Sequence, residues 1–328
     1  MSMFDQTYYK VTTRSECHHG FQYLGGLNVL TEPFAETGSC VPGGLYFTDL
    51  AHVPDFLVLG VYVREVRIPE GSRVVKDGTD KWRTDQLWFG HRWEIQDFLK
   101  HHANVWTLKD WYRISAYGML TEEFIREFAD QVVWHIISRY QNLSETFIRE
   151  FADRVDWFTI SQCQDLSDTF IREFADRVNW FKLSFNRSLS ESLIREFADR
   201  VDWTRISEYH IHSDFQIEDQ PFSISEGFIR EFADRVDWTI ISQSHTLSET
   251  FIREFADRIE WSMINHYSRF SESFIREFAD RVDWTQLKFH IFSEEFLEEF
   301  KDRLSLIGNI QICYLTIRNL IKSNFHVR

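Results

Sequence analysis

Between residues 124 and 284 the apolar and polar positions return in one frame, Phe-Ile-Arg-Glu-Phe-Ala-Asp-Arg-Val-Asp-Trp, with few changes from copy to copy. Trp111, Trp134, Trp157, Trp180 and Trp203 fall 23 residues apart, and Trp238, Trp261 and Trp284 resume that period after an insertion of 12. In the copy from Leu143 to Asp165, the residues Phe147, Ile148, Phe151 and Val155 stand at i, i+1, i+4 and i+8, which builds one apolar helical stripe. Ser144 sits where an N-cap belongs, and Glu145 follows at the positive end of the helix dipole. The third helical position holds Phe147, so there is no capping box. On the polar side Glu150 faces Arg154 and Arg149 faces Asp153, each at i, i+4. Such pairs add only about 0.2–0.5 kcal/mol each, so they read as solvent dressing. Asp156-Trp157 should end this helix, and Trp157 to Cys163, with Ile160 on the Trp face, should form a second, shorter one.

A fixed period of this size marks a stacked array, because one unit cannot bury its own apolar face. The predicted fold class is an α+β N-terminal domain followed by an all-α solenoid of 23-residue helix–turn–helix repeats. The first helix of the repeat occurs eight times, beginning with Phe124, Phe147, Phe170, Leu193, Phe228, Phe251, Phe274 and Phe296. In the last copy the Trp is lost to Leu306, as expected of a capping repeat. The insertion around His210 to Phe222 should be a protruding loop. Trp134, Trp157, Trp180, Trp203, Trp238, Trp261 and Trp284 are expected to lie buried in a line as spacers between units.

The first helix is nearly constant on both faces, whereas the residues after each Trp change. Phe158, Lys182, Arg205, Ile240, Met263 and Gln286 are the changing positions. Core packing holds size and polarity steady. Variation gathered on one ridge therefore fits a surface that is either unconstrained or tuned to a ligand.

Residues 1–92 carry no repeat and hold most of the glycines. Tyr8 to Thr12 reads as a strand, Val58 to Ile68 as a longer one that stops at Pro69, and Arg73 to Val75 as another. Gln86 to Phe89 reads as a short edge. Pro54 to Leu59 is a helix or a loop, and Gly43-Gly44 is a tight turn feeding Leu45-Tyr46-Phe47. The domains drawn from this are 1–92, globular; 93–120, a connector and N-terminal capping repeat; and 121–328, the repeat array with its C-terminal cap.

A net charge of −15 argues against nucleic acid or an anionic membrane as partner, since both need clustered Lys and Arg. Leu304 to Ile321 is interrupted by Asn309, Gln311, Arg318 and Asn319 and reads as a terminal core element, not a span. Met1 to Gln6 lacks the marks of a secretory signal. Cys17, Cys40, Cys163 and Cys313 show no CxxC spacing, which suggests a reducing compartment. Cys17, His18, His19 and Cys40 have the right atoms for zinc but match no standard ligand spacing, so no metal is expected.

The order of His19-Gly20, Gly26-Leu27, Gly44-Leu45-Tyr46-Phe47 and Gln86 to Phe89 resembles ADP-ribosyltransferases of the His-Tyr-Glu type. That resemblance implies NAD as ligand, with His19 on the adenosine ribose and Tyr46 against nicotinamide. At the position of the Glu this chain offers Asp85 or Gln86, a departure that removes the group expected to stabilise the ribosyl cation. Both halves together, the Gly-Gly-Leu-Tyr-Phe-Thr module and the Phe-Ile-x-Glu-Phe-x-x-x-Val-x-Trp array, resemble repeat-containing proteins of large DNA viruses of amoebae. This implies a setting in the cytoplasm of an infected cell or in the virion. With no complete catalytic set, the leading expectation is a non-enzymatic scaffold that binds a host or viral protein without a cofactor. The alternative is an NAD-binding N-terminal domain directed to its target by the array.

Overall fold

The structure is a computed structural model and describes residues 3–185, 189–208, 224–244, 247–264, 270–284 and 292–304. The chain divides into two compact units, Met1–Gln164 and Asp165–Arg328.

The first unit opens with nine strands: β1 Tyr8–Thr12, β2 Cys17–His18, β3 Phe21–Gln22, β4 Gly26–Val29, β5 Leu45–Phe47, β6 Tyr62–Arg67, β7 Val74–Asp77, β8 Lys81–Thr84 and β9 Gln86–Glu94. A four-stranded antiparallel sheet runs β1-β6-β9-β4, and a three-stranded sheet runs β5-β8-β7. The two are linked by a bridge between Tyr9 and Thr48. Tyr8, Tyr23, Leu45, Phe47, Val66, Leu87 and Phe89 pack as one core.

Two expectations need correction here. The strand expected from Val58 begins only at Tyr62, because Leu50–Leu59 is a 3-10 helix capped by Asp49. Gln86 to Phe89 is no edge: β9 runs nine residues and lies between β6 and β4. Gly60 separates the helix from β6 at a point where a Cβ would lie 2.1 Å from the Thr12 carbonyl oxygen. Only glycine fits that approach.

Helical structure follows from Ile95, and from residue 122 onward the described residues alternate a first short helix with a second that opens at a Trp, as far as Trp261–Ile264. In the first unit these are Glu122–Glu127 with Trp134–Tyr140 and Glu145–Glu150 with Trp157–Cys163. In the second unit the first helices are Asp168–Glu173, Glu191–Glu196, Glu226–Glu231, Glu249–Glu254, Glu272–Glu277 and Glu294–Glu299. A Ser or Thr caps each first helix by accepting from the backbone N–H three residues on, as Ser144 does from Phe147.

The first helix is shorter than the apolar stripe suggests. It stops after six residues, and Phe151, at φ −110° and ψ 28°, leaves the helical region. Residues 151–155 form turns before Trp157 starts the second helix. The freed carbonyls explain why this break is tolerated. The indole N–H of Trp157 donates to Ala152 O at 2.9 Å, and Trp180, Trp203, Trp238, Trp261 and Trp284 repeat the bond to Ala175, Ala198, Ala233, Ala256 and Ala279. The seven tryptophans are half-buried, not buried as expected. Within the second unit the rings lie against phenylalanines of the following repeat, as with Trp238 and Phe255 at 4.9 Å; in the first unit Trp134 lies 4.8 Å from Phe151.

The polar face of the first helix is not solvent dressing. Glu150 does not pair with Arg154; it takes Arg126 of the preceding repeat at 2.8 Å. Arg154 instead reaches back to Asp130 at 2.7 Å. The second unit repeats both bridges, Arg230 to Glu254 and Arg258 to Asp234, each at 2.6 Å. Glutamates at the helix start join in, as Glu226 accepts the Ser248 backbone N–H at 2.6 Å. These groups are exposed, so each bridge is worth under about 1 kcal/mol. Their importance is register, and they account for a first helix that is constant on both faces.

Buried polar groups make a second ladder. Ser138 Oγ donates to Trp134 O and accepts the Asp156 N–H. Gln141 donates to Ser115 O and Tyr117 O and accepts the Leu120 N–H. Gln141→Leu should lower the unfolding free energy by about 2–4 kcal/mol, since each buried backbone group left without a partner costs about 1–3. A loss below about 0.5 kcal/mol in urea titration would show that water replaces the amide.

Candidate functional site

The two candidate regions are a cleft in the strand-rich part of the first unit and the exposed side of the second helices.

The cleft has a volume of about 230 Å³, and Lys10, Thr12, His18, His19, Cys40 and Tyr46 are among the residues lining it. β1 brings Lys10 and Thr12, the β2–β3 hairpin brings His18 and His19, and β5 brings Tyr46. His19 stands at φ 49°, a left-handed conformation at the hairpin tip. The His18 and His19 rings lie 4.1 Å apart and 6.0 and 6.3 Å from the Tyr46 ring. The Tyr46 hydroxyl is committed, donating to Val41 O at 2.7 Å.

Lys10 crosses the core as a buried amine. Its Nζ donates to Tyr46 O at 3.0 Å and lies 4.9 Å from the Tyr23 ring centroid. Burial lowers its pKa to about 7. Burial also lowers His18, with help from the Lys10 charge and His19, to about 4, so the imidazole is neutral at pH 7. At the rim, Lys81 donates to Cys40 Sγ at 3.0 Å and, with Ser39, lowers the thiol.

His19 and Tyr46 therefore share the cleft, whereas Asp85 and Gln86 are not part of its lining. Asp85 is held by Arg73, through the backbone N–H at 2.9 Å and Nε at 2.8 Å. Gln86 pairs with Val29 in the sheet. The carboxylate that does line the cleft is Glu16, and it is engaged by Arg64 at 2.7 and 2.8 Å. Among the described residues, no group of three or more His, Cys, Asp or Glu is arranged to hold a metal ion.

On the second helices, Phe158 in the first unit is exposed. In the second unit Lys182, Arg205, Ile240 and Met263 are half-buried, and Gln286 lies outside the described residues. Phe181 and Phe185, which vary in sequence but are not among the six ridge residues expected, are exposed at 49% and 44% and touch edge to face at 5.1 Å. Lys182 Nζ lies over both rings, and the Arg205 guanidinium stacks 4.3 Å from the Phe185 centroid. The signal was present in the i, i+4 spacing of the two rings next to Lys182.

The chain is similar to proteins of Acanthamoeba polyphaga mimivirus. One, named a candidate ankyrin repeat protein, is 40% identical over 101 residues, covering 29% of this chain and 50% of that protein. A second of that description is 34% identical over 108 residues, covering 28% and 35%. An uncharacterised protein of the same virus is 44% identical over 64 residues, covering 19% and 46%. The chain thus spans half or less of the length of these relatives. No protein-family model matches it, and no solved structure does. Among the described residues no helix is long and apolar enough to cross a membrane.

Proposed function

We propose that the helix pairs stack in sequence as a solenoid of 23-residue units and that their second helices bind a protein partner, host or viral. The setting we propose is the cytoplasm of an infected amoeba or the virion. One observation carries this reading. The first helices are held by bridges to their neighbours, while in the second unit the variable second helices expose Phe181 and Phe185, with Lys182 over both rings and Arg205 over Phe185. Aromatic and Arg side chains are the groups that anchor protein interfaces.

The relatives named as ankyrin repeat proteins add support, since repeat arrays offer extended binding surfaces. An ankyrin unit has a period of about 33, so the name is not carried to the repeats here. The alternative, an NAD-binding N-terminal region, keeps His19 and Tyr46 in one cleft but without Asp85 or Gln86 beside them.

The test is cross-linked capture by the full chain from infected-cell lysate and from purified particles. Phe181→Ala and Arg205→Ala are each expected to reduce recovery of a common partner about tenfold or more, as truncated anchors do. Glu123→Lys, on the opposite helix, should change it little. Equal loss from both faces would defeat the ridge.

A further inference from the structure

Three polar groups of the cleft lack the partners that burial demands. Thr12 is 4% exposed, and its Oγ1 has no hydrogen-bond partner. His18 Nδ1 is buried and also without one. Lys10 is 6% exposed, and its Nζ meets a carbonyl and a ring face rather than a carboxylate. Buried polar groups are otherwise satisfied almost everywhere in folded proteins, and leaving them unpaired is costly. All three line one cavity, whose remaining wall includes the apolar Phe47, Phe56 and Leu59.

We infer that this cleft binds a small organic carboxylate, its anionic end held by Lys10, Thr12 and His18 and its apolar body against Phe47, Phe56 and Leu59. A carboxylate offers about four lone-pair sites. An ammonium with unused N–H groups, a hydroxyl and an imidazole tautomer protonated at Nδ1 can all donate to it. The ligand would also return to Lys10 the charge partner it lacks, since Glu16 is already taken by Arg64. A cation would be repelled by Lys10, and a purely apolar ligand would leave all three groups unsatisfied. The volume of about 230 Å³ restricts the ligand to a single small molecule.

The experiment is calorimetry on the full chain with benzoate, inorganic phosphate and benzylamine as probes. Benzoate is expected to bind one site and benzylamine none. Lys10→Met should weaken benzoate about tenfold or more, because a charge-assisted contact is lost. Thr12→Val, close to isosteric, should weaken it about threefold to tenfold. Circular dichroism checks that both variants fold; the second variant keeps the test valid if the first does not. Unchanged benzoate affinity in a folded variant would overturn the assignment, as would phosphate binding with benzoate excluded, or no benzoate binding to the unaltered chain.

Discussion

Replacing Phe251 by Ala should lower the unfolding free energy of the chain by about 3–5 kcal/mol, the range for a fully buried aromatic. The side chain has no exposed surface. It sits 6.1 Å from Trp238, stacked, and 4.8 Å from Phe255, with the Arg230 guanidinium 5.0 Å from its centroid. Truncation to Ala therefore removes the ring on which the Trp of the preceding repeat rests, and the short first helix cannot collapse to fill the space. Phe255 is half-buried at the helix end, so Phe255→Ala should cost less. Urea denaturation followed by far-ultraviolet circular dichroism measures both. A cost below about 1 kcal/mol for Phe251 would mean that the repeats do not depend on ring packing between neighbours.

That dependence was only partly legible in the sequence. Phe147 and Ile148 are both buried as the stripe requires, and Trp157–Cys163 is helical as expected. The helix end was missed because no Gly or Pro marks it. What closes it is the Trp side chain donating to Ala152 O, a contact that hydrophobic periodicity does not encode. The charged residues were misread for a related reason. Spacing of i, i+4 suggests pairs within one helix, but Arg126 finds Glu150 and Arg154 finds Asp130, both 24 residues away. Only stacking creates those neighbours.

The strands show the same division. β1 lies where alternation and β-branching put it, from Tyr8 to Thr12. Nothing in the sequence marks Lys10 within it, yet all five positions are buried. That burial comes from the 3-10 helix Leu50–Leu59 and from β5, which pack on β1 and lie far away in sequence. The rings of His19 and Tyr46 lie 6.3 Å apart, but chain order could not show that Arg73 holds Asp85.

The second large effect is expected at Arg83 on β8. Its side chain is fully buried, and Nη1 donates to Gly38 O at 2.9 Å, Asp77 Oδ2 at 3.3 Å and the Tyr46 hydroxyl at 3.4 Å. Gly44 makes room for it, since a Cβ there would lie 2.8 Å from the Arg83 Cδ. Asp77 in turn accepts from Ser39 Oγ at 2.6 Å and from the Cys40 N–H at 3.1 Å. The pair thus anchors residues 38–40, which carry Cys40 to the rim of the cleft. Arg83→Met leaves the Asp77 carboxylate buried without its cation and should cost about 3–5 kcal/mol. Asp77→Asn should cost a similar amount, and the double variant should cost clearly less than the sum, because the two groups share one interaction. Acid dependence supplies an independent check. Burial raises the Asp77 carboxyl, but hydrogen bonds from Ser39 and Cys40, with Lys81 and Arg83 nearby, hold it below its ordinary value of 3.8. A depressed carboxyl contributes stability above its unfolded value and loses it as pH falls through the folded one. Stability should therefore drop below about pH 4 in the unaltered chain and drop less in Asp77→Asn. Additive costs with identical acid profiles would show that the pair is not coupled.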